Sequence, residues 1–505
     1  MIPRTIHELI DRRAEEMPGA VAIRFSGTSL SYGALVRRSS DLAALLVERG
    51  IGRGSRLGIL MGNRPEWLFT AIAAARVGAL FVPLSTFLRD RELERTLSRA
   101  EVDAVVFAPR FSGTSWEEML HDCVPRLGKT VDLLAWADDD EWPRPVGRRV
   151  GARHPVVPAT GDDAAVVFFT SGSTSEPKGV VHSHAPMIRH GAAIAARMGV
   201  GPDDRSWSTF PFFFSAGIMI YAWSGFAAGA TLVLQEKFEP SEALRLVQSE
   251  RCTVYQGWPH QFEAMMAEPA FRSADLRSVR KANGARFLPH DAFLGHAHDA
   301  IDGWGMTETL TYCCSTWWNE PLDVRLASHG RPLDGVEIRV IDPETGEALP
   351  PDAEGELAVR GYNLMRGYLD APEGGHLDAD RFFHSGDLGR IDACGNVHFL
   401  GRLKDVIKTA GVNVASAEIE ALIASHPAVE SAHVVGVPDA SRGERIVAFV
   451  VRSAPCTAEE LAEHVARQTA RFKVPSSVEF LERDQLPQTP TGKVDKKRLR
   501  GSDPR

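Results

Sequence analysis

Cysteine is scarce in this chain, and the few that occur are scattered. The 505 residues include six cysteines, and none forms the C-x-x-C spacing that is typical of zinc and redox sites. Neither a zinc site nor a disulfide framework is therefore expected, and reduced thiols in a cytoplasmic protein are the default. The first residues carry charges and no apolar segment, so no signal peptide is expected either.

Concentrated positive charge is also missing. The net charge is −9 at pH 7, and no basic block of the kind carried by nucleic-acid-binding proteins is present. No internal repeat or low-complexity tract occurs, so a solenoid or a disordered tail is not indicated. The chain is too long for one hydrophobic core, which predicts two or more domains.

Only one run without charge is long enough to span a bilayer, and it comprises residues 210–234. Prolines, glycines and serines interrupt this run. We therefore predict a loop, a short helix and a strand over residues 230–234, buried beside a pocket. No membrane span is expected.

Hydroxyl-bearing residues and glycines crowd residues 170–179, which read T-S-G-S-T-S-E-P-K-G. An apolar run precedes them and Val180 and Val181 follow, which predicts a loop between two strands. Hydroxyls, backbone N–H groups and the charge of Lys178 suit an anion, and a phosphate chain is the economical one. The spacing is not the Walker pattern. A polar surface loop is the alternative when the stretch is taken alone.

Strand-like and helix-like patterns alternate along residues 1–158, which predicts an open parallel sheet with helices on both faces. Short strands and turns over residues 336–400 predict a small β subdomain. From residue 417 the order is helix, strand, strand, helix, strand, which predicts a separate small α+β domain. The fold class expected is thus α/β with a second, smaller domain.

The loop at residues 170–179 resembles the phosphate loop of the AMP-forming adenylating enzymes, T-S-G-S/T-T-G-x-P-K-G, with Ser175 in place of a common glycine. That superfamily includes acyl- and aryl-CoA synthetases, luciferases and peptide-synthetase adenylation domains. Four further motifs follow in the family order. The resemblance implies a large domain over residues 1–402 and a small mobile one over residues 403–505. It implies that ATP or AMP is bound by Thr170, Ser171, Gly172, Ser173, Thr174 and Lys178.

The second motif, D-G-W-G-M-T-E at residues 302–308, resembles the family's Y-G-M-T-E. The resemblance implies that Trp304 stacks on adenine or walls the acyl site, that Thr307 donates to the α-phosphate, and that Glu308 binds the Mg²⁺ that travels with ATP. Further nucleotide contacts are implied for Gly284, Ala285, Arg286, Asp302 and Gly303.

The third and fourth motifs are S-G-D at residues 385–387 and the junction that begins at residue 401. The resemblance implies that Asp387 and Arg402 reach the ribose hydroxyls and that Lys404 is the hinge. Lys408 and Asn413 would approach the nucleotide, and Gly411 would line the channel for the pantetheine of CoA.

The last motif, P-x-x-x-x-G-K, runs from Pro487 to Lys493. The resemblance implies that Lys493 is catalytic, together with Thr307 and Glu308. Attack of a carboxylate on the α-phosphorus builds negative charge that a cation in a closed site stabilises. Taken alone, Lys493 would be read as a solvated lysine in a basic tail.

His182 and His184 form an H-x-H pair that could bind a metal. Such a pair by itself is a weak signal of a metal site. We predict a role in helix capping or packing instead.

Large apolar residues predict the acyl pocket. Phe214 stands where relatives often have histidine, and no carboxylate is present to hold an α-ammonium, which disfavours amino-acid substrates. Bulky rings favour a short, medium, cyclic or aromatic acid. The predicted pocket residues are Phe213, Phe214, Gly217, Ile218, Trp258 and Trp304.

Together the motifs predict an AMP-forming acid:CoA ligase. A carboxylate and MgATP would give an acyl-adenylate and pyrophosphate, and CoA would then give the thioester and AMP. Three alternatives stay open: loading of a carrier-protein phosphopantetheine, a phosphotransferase or ATPase, and a nucleotide-binding protein without catalysis. The sequence names neither the acid nor the oligomeric state, a homodimer included.

Overall fold

A computed structural model describes residues 3–138, 141–146, 157–170, 178–284, 299–369, 371, 374–409, 412–439, 443–469, 473–489 and 493–501, without the side chains of residues 259, 260, 408, 412, 413 and 443. The chain divides into two compact units. Unit 1 comprises Met1–Ile338 and Val359–Phe383, and unit 2 comprises Arg339–Ala358 and His384–Arg505.

The helices of the described residues alternate with strands through most of unit 1. The α-helices of unit 1 are α1 (Ile6–Glu16), α2 (Tyr32–Glu48), α3 (Pro65–Val77), α4 (Asp90–Ala100), α5 (Trp116–Cys123), α6 (His184–Met198), α7 (Ser224–Ala228), α8 (Pro240–Ser249), α9 (Pro259–Ala267) and α10 (Leu322–Ala327). Those of unit 2 are α11 (Ser416–Ala424), α12 (Ala458–Ala466) and α13 (Lys496–Gly501). A π-helix covers Gly217–Trp223, and 3₁₀ turns cover Val124–Leu127, Pro269–Ser273, Thr307–Thr309, Leu403–Asp405 and Arg483–Gln485.

The strands form two large sheets and several smaller ones. They are β1 (Val21–Phe25), β2 (Thr28–Ser31), β3 (Arg56–Leu60), β4 (Leu80–Pro83), β5 (Ala104–Phe107), β6 (Arg110–Phe111), β7 (Thr114–Ser115), β8 (Asp132–Ala135), β9 (Arg144–Pro145), β10 (Ala164–Thr170), β11 (Lys178–Ser183), β12 (Arg205–Ser208), β13 (Thr231–Leu234), β14 (Val254–Gln256), β15 (Lys281–Asn283), β16 (Asp299–Ile301), β17 (Gly303–Met306), β18 (Thr311–Ser315), β19 (Arg331–Pro332), β20 (Val336–Ile341), β21 (Gly355–Gly361), β22 (Gly367–Tyr368), β23 (Phe383–Ile391), β24 (Val397–Arg402), β25 (Val406–Thr409), β26 (Val412–Ala415), β27 (Val429–Asp439), β28 (Gly443–Arg452) and β29 (Ser477–Phe480).

Unit 1 is built on two large sheets whose centres are parallel. One has the order β16-β15-β14-β12-β13-β1-β2 and the other β22-β11-β10-β4-β3-β5-β8-β9. The strands β3, β4 and β5 pair in parallel and are almost wholly buried, because helices cover both faces. The antiparallel pairs lie at the edges, at β1–β2, β8–β9 and β10–β11–β22. The predicted α/β class is confirmed.

Residues 210–234 fold inside unit 1. The π-helix Gly217–Trp223 is buried throughout, and α7 and β13 complete the run. The predicted division into loop, short helix and strand is confirmed, although the helix begins with a π-type turn that the apolar pattern does not reveal. Among the residues that the structure describes, no helix combines the length and the hydropathy needed to cross a membrane.

Unit 2 contains a four-stranded sheet, β20-β21-β23-β24, whose residues belong mostly to this unit, and a sheet formed by β25 to β29. The predicted helix, strand, strand, helix, strand order after residue 417 is confirmed by α11, β27, β28, α12 and β29. The small β subdomain groups with the C-terminal residues. The predicted division at residues 402 and 403 concerns which residues move together during catalysis, so it stays a prediction.

Candidate active site

The predicted phosphate loop begins and ends on two paired strands of unit 1. β10 and β11 are antiparallel, and their last pair joins Thr170 to Lys178. The two ends of the loop are therefore held side by side. Ser171, Gly172, Ser173 and Thr174 lie outside the described residues. The exposed Lys178 extends its Nζ to 5.0 Å from the centre of the Tyr368 ring.

The predicted catalytic pair Thr307 and Glu308 lies in the 3₁₀ turn Thr307–Thr309, and each carbonyl of this turn accepts a hydrogen bond from elsewhere in unit 1. The first accepts from His182 Nε2 at 2.8 Å, the second from the Met365 N–H at 2.8 Å, and the third from Asn363 Nδ2 at 3.1 Å. A turn anchored at three successive carbonyls has little freedom to change shape. The hydroxyl of Thr307 lies 3.4 Å from that of Ser215.

The carboxylate of Glu308 has a second anchor on β22. The Tyr368 hydroxyl donates a hydrogen bond to Glu308 Oε1 at 3.2 Å. Burial raises the pKa of Tyr368, and the Glu308 charge raises it further, so the phenol stays a donor. Mg²⁺ binds through one or two carboxylates plus water and substrate phosphates. A single half-buried carboxylate fits an ion that arrives bound to ATP.

The two histidines that follow the loop are packed inside unit 1. His182 donates from Nε2 to a carbonyl, which fixes its tautomer, and burial lowers its pKa to about 4. Burial lowers the pKa of His184 to about 3, and neither of its ring nitrogens has a hydrogen-bond partner among the described residues. No cluster of three or more metal-ligating side chains occurs in the described part of the chain. Both rings are neutral at physiological pH, as the predicted packing role requires.

Two phenylalanines of the predicted acyl pocket join a cluster of four aromatic rings. Phe213 and Phe214 lie 4.6 Å apart between ring centres, and Phe214 meets the edge of Trp258 at 5.9 Å. The fourth ring belongs to Phe87, which stands 5.2 Å from Phe213 in an edge-to-face arrangement. Phe87 is 45% exposed, whereas Phe213 is 6% exposed. The cluster therefore has a buried side and a side that faces water.

The backbone that carries these rings is held by a buried amide. Asn63 donates to the Phe210 carbonyl and accepts from the Phe212 N–H, each at 2.9 Å. Behind the rings, a side chain on Gly217 would come within 2.2 Å of the Pro211 carbonyl. Only glycine allows the π-helix to begin this close to the loop. Ile218, its neighbour, is fully buried.

The predicted adenine-side residues occupy the ends of neighbouring strands. The Asp302 N–H donates to the Thr316 hydroxyl at 3.0 Å, and the Thr316 N–H returns a bond to the Asp302 carbonyl. Gly303 and the buried Trp304 follow on β17. Gly284 comes directly after β15, and Ala285 and Arg286 lie outside the described residues.

In unit 2 the two predicted ribose contacts lie opposite each other. Asp387 on β23 pairs with Arg402 on β24, and Arg402 Nε lies 2.8 Å from Asp387 Oδ1. The Asp387 side chain is 3% exposed, so its carboxylate is buried beside a cation. An ionised carboxylate with a fixed orientation is suited to accept hydrogen bonds from ribose hydroxyls.

The predicted hinge follows directly. Gly401 has a φ of +144°, which side-chain-bearing residues rarely adopt, and the turn Leu403–Asp405 begins two residues later. Lys404 is exposed in this turn. Lys408 lies on β25 opposite Asn413 on β26, but their side chains and Gly411 lie outside the described residues.

Lys493 lies near the end of unit 2, where it bonds to Thr489. Its N–H donates to the Thr489 hydroxyl at 3.2 Å, and its carbonyl accepts from the Thr489 N–H at 2.7 Å. The residue as a whole is exposed. Burial of its ammonium nevertheless lowers the pKa of Lys493, and the positive charge of Arg402 lowers it further. Both hydrogen bonds between Lys493 and Thr489 use the backbone of the lysine.

Sequence reasoning missed Tyr368, Asn363 and Phe87. Tyr368 and Asn363 precede the predicted hinge and belong to no quoted motif, and they reach the acidic turn only because β22 joins the edge of the sheet. The sequence signal available for Phe87 was an aromatic residue in the short segment before α4.

Comparison with known families gives matches over both units. The model of the AMP-binding enzyme family matches residues 10–369, and that of the AMP-binding enzyme C-terminal domain matches residues 418–493. A feruloyl-CoA synthase from Amycolatopsis sp is 33% identical, over 97% of this chain and 97% of the relative. An indoleacetate–CoA ligase from Aromatoleum aromaticum is 32% identical, over 98% and 97% of the two chains.

Solved structures agree. ATP-bound MatB from Rhodopseudomonas palustris superposes with a TM-score of 0.84 at 30% identity, covering 98% of each chain. The anthranilate CoA ligase AuaEII, in complex with anthranoyl-AMP, gives a TM-score of 0.87 over 99% of this chain and 98% of that chain. Its 22% identity supports the fold alone.

These matches cover nearly the whole chain, as the motif order implies. The predictions of the superfamily, of its α/β fold and of an acid-thiol ligase are confirmed. The chain belongs to the AMP-forming adenylating enzymes, as an acid:CoA ligase.

Proposed function

We propose that the acid activated by this ligase carries a ring, and that an aromatic acid is preferred over a long alkyl chain. The observation that carries the proposal is the cluster of Phe87, Phe213, Phe214 and Trp258 in unit 1. Two curated relatives are named for aryl acids, feruloyl-CoA synthase and indoleacetate–CoA ligase, which supports the same substrate class.

The geometry of the cluster favours a flat ligand. Aromatic rings attract one another in tilted and edge-to-face arrangements with centres 4.5–7 Å apart, and the rings of this cluster are already arranged in that way at 4.6–6.5 Å. A planar acid would add one more ring to the set. Since Phe214 replaces a side chain that could hydrogen-bond, the acid would be held by shape and dispersion rather than by polar contacts.

For the first step we assign Lys178, Lys493 and the turn Thr307–Thr309 to contacts with ATP. MgATP is the substrate, with Lys178 and the phosphate loop at its phosphates and Glu308 as the protein ligand of Mg²⁺. A carboxylate oxygen of the acid attacks the α-phosphorus, the bond to pyrophosphate breaks, and an acyl-adenylate forms. Thr307 donates to the α-phosphate, and Lys493 neutralises the charge that develops there.

For the second step we assign the predicted mobile domain, residues 403–505, a different role. This domain turns about Lys404, which withdraws Lys493 and brings Gly411 to the acyl-adenylate. The CoA sulfur attacks the acyl carbon, the bond to AMP breaks, and the thiol proton leaves to solvent. Asp387 and Arg402 hold the ribose, and Lys408 and Asn413 lie along the nucleotide.

A panel of acids tests the substrate class. Release of pyrophosphate should be measured with benzoate, cinnamate, phenylacetate, cyclohexanecarboxylate, octanoate and palmitate, with and without CoA. Aryl acids should give the highest kcat/KM. Palmitate as the best substrate would refute the proposal.

A variant links the panel to the cluster. Phe87→Ala removes the ring that pairs with Phe213 and Phe214. Loss of one aromatic contact to the acid is worth roughly 1 kcal/mol, so kcat/KM for aryl acids should fall about fivefold while KM for MgATP is unchanged. Phe271→Ala is the matched control, since this half-buried ring packs in another cluster of unit 1.

The acceptor is tested in the same assay. Thioester formation with free CoA supports the proposal, and thioester only with a holo-carrier protein overturns it. An amine should also be supplied, because a structural neighbour at 29% identity, McbA from Marinactinospora thermotolerans, is an amide bond synthetase. Amide formation in place of a thioester would contradict the assignment of CoA.

A further inference from the structure

Tyr368 contacts two side chains of opposite charge in unit 1. Its hydroxyl donates to Glu308 Oε1 at 3.2 Å, and the Nζ of Lys178 lies 5.0 Å from the centre of its ring. Among the ion pairs of the described residues, none joins Lys178 to Glu308. The tyrosine thus contacts both groups while they make no direct pair.

Strand pairing explains why the ring meets Lys178. β11 and β22 are antiparallel, and Val180 lies directly opposite Tyr368. Side chains two residues apart on a strand share one face of the sheet, so Lys178 and Val180 project from the same face as Tyr368. Lys178 is therefore the diagonal neighbour of Tyr368, a separation that long side chains can bridge. The Leu369 N–H bonds to the Gly179 carbonyl at 2.7 Å and fixes this register.

The same segment also fixes Glu308. The Met365 N–H donates to the Glu308 carbonyl at 2.8 Å, and Tyr368, three residues later, donates to its carboxylate. Backbone and side chain of Glu308 are thus both held by residues 365–368. The position of its carboxylate is set by this contact as much as by the turn that carries it.

The chemistry of a phenol suits both neighbours. The face of an aromatic ring is negative and attracts an ammonium, whereas the hydroxyl donates to a carboxylate. Leucine offers neither interaction, and phenylalanine offers only the ring.

We propose that Tyr368 is a positioning residue for the first step, which keeps Lys178 and Glu308 apart and oriented before MgATP binds. Lys178 then stays available for the phosphates and Glu308 for the metal. If the spacer is removed, the ammonium and the carboxylate pair with each other, and MgATP must break that pair in order to bind. The proposal rests on the roles assigned above to Lys178 and Glu308.

Two variants separate the two contacts. Tyr368→Leu should raise KM for MgATP about tenfold, since it removes a cation–π contact and a hydrogen bond to a charged group. Tyr368→Phe keeps the ring over Lys178 and should raise KM only two- to threefold, with a higher Mg²⁺ requirement. KM for the acid and the rate of thioester formation from supplied acyl-adenylate should not change.

Tyr362→Phe is the matched control. Tyr362 also lies under a cation, with Arg189 at 3.7 Å from its ring centre, and its hydroxyl contacts His190 Nδ1 at 3.2 Å. Loss of that hydroxyl should leave KM for MgATP unchanged. If Tyr362→Phe raises KM for MgATP as much as Tyr368→Leu does, both variants act through a general loss of rigidity in unit 1, and the inference is wrong.

Direct binding gives a readout that does not depend on turnover. Titration calorimetry with α,β-methylene-ATP and Mg²⁺ should show about tenfold weaker binding to Tyr368→Leu, partly restored by raising free Mg²⁺, because the metal competes with Lys178 for Glu308. Unchanged binding by this variant, or by Tyr368→Phe if Tyr368→Leu does not fold, would overturn the inference. Failure of the wild-type chain to form any acyl-adenylate would instead refute the proposed function.

Discussion

Two groups assigned to the first chemical step are held in opposite ways. In unit 1 the turn Thr307–Thr309 is fixed at three successive carbonyls and by the bond from Tyr368 to Glu308. In unit 2 Lys493 is exposed, and its two hydrogen bonds to Thr489 both use the lysine backbone. The first group is anchored through both backbone and side chain, whereas the hydrogen bonds of the second to Thr489 leave its side chain out.

The difference fits the work assigned to each group. We expect the turn to contact the α-phosphate in both half-reactions, and it then gains from a fixed geometry, because no reorganisation is needed when charge develops. A lysine needed in one half-reaction only must be able to leave. We therefore expect loss of a backbone anchor of the turn to affect both steps and loss of Lys493 to affect one.

The largest effect is expected from Lys493→Ala. Loss of a group that stabilises transition-state charge typically lowers the rate by about 10²–10³-fold, so acyl-adenylate formation should fall by that factor. Thioester formation from supplied acyl-adenylate should stay within about threefold of wild type. Both rates are to be measured by single-turnover quench.

Lys497→Ala serves as the control for that variant. Lys497 is an exposed lysine of the same basic segment, four residues further on. Its loss should change neither rate. An equal fall of both half-reactions in Lys493→Ala would show that residues 403–505 do not alternate between two roles.

A smaller effect, spread over both steps, is expected from Asn363→Leu. Asn363 is fully buried, and its Nδ2 donates to the Thr309 carbonyl. An unsatisfied buried carbonyl costs about 1–3 kcal/mol, and the turn should shift to regain a partner. Both half-reactions should slow by about tenfold. Loss of the first step alone would contradict the shared role of the turn.

The smallest effect concerns stability rather than rate. Burial depresses the pKa of His184 to about 3, well below its value of 6.5 in an unfolded chain. The unfolded state therefore takes up the proton first as pH falls, and folded stability is lost below pH 6.5. Between pH 7.5 and 5.5 one such histidine should lower the free energy of unfolding by about 1.4 kcal/mol.

His184→Met should remove that part of the acid sensitivity. Tryptophan fluorescence during urea unfolding reports on unit 1, because all ten tryptophans lie within its residues. The shift of the urea midpoint between pH 7.5 and 5.5 should be smaller in the variant than in the wild type. An identical shift in both would show that His184 is protonated in the folded chain.

Short motifs predict many residues of the candidate site. The others come together only through the pairing of distant strands, which short motifs do not encode. Thr307, Glu308 and Asp387 stand in segments whose order along the chain identifies them. Tyr368 lies 60 residues after Glu308 and becomes its partner only through the pairing of β11 with β22. No local pattern encodes that contact.

The fold likewise has features that the sequence predicts and features that it does not. Alternation of strands and helices predicted the α/β class, and the order of elements after residue 417 predicted the C-terminal α+β fold. The π-helix Gly217–Trp223 was not predictable, because its form depends on the close approach of Gly217 to the Pro211 carbonyl. Packing between distant segments decides such details.

The most direct test of the account is the fate of ATP when an aryl acid is supplied without CoA. A rapid quench should show acyl-adenylate and pyrophosphate in equal amounts, about one of each per enzyme, and AMP with acyl-CoA only after CoA is added. Formation of ADP with an acyl phosphate, or of AMP before any acyl-adenylate, would contradict it.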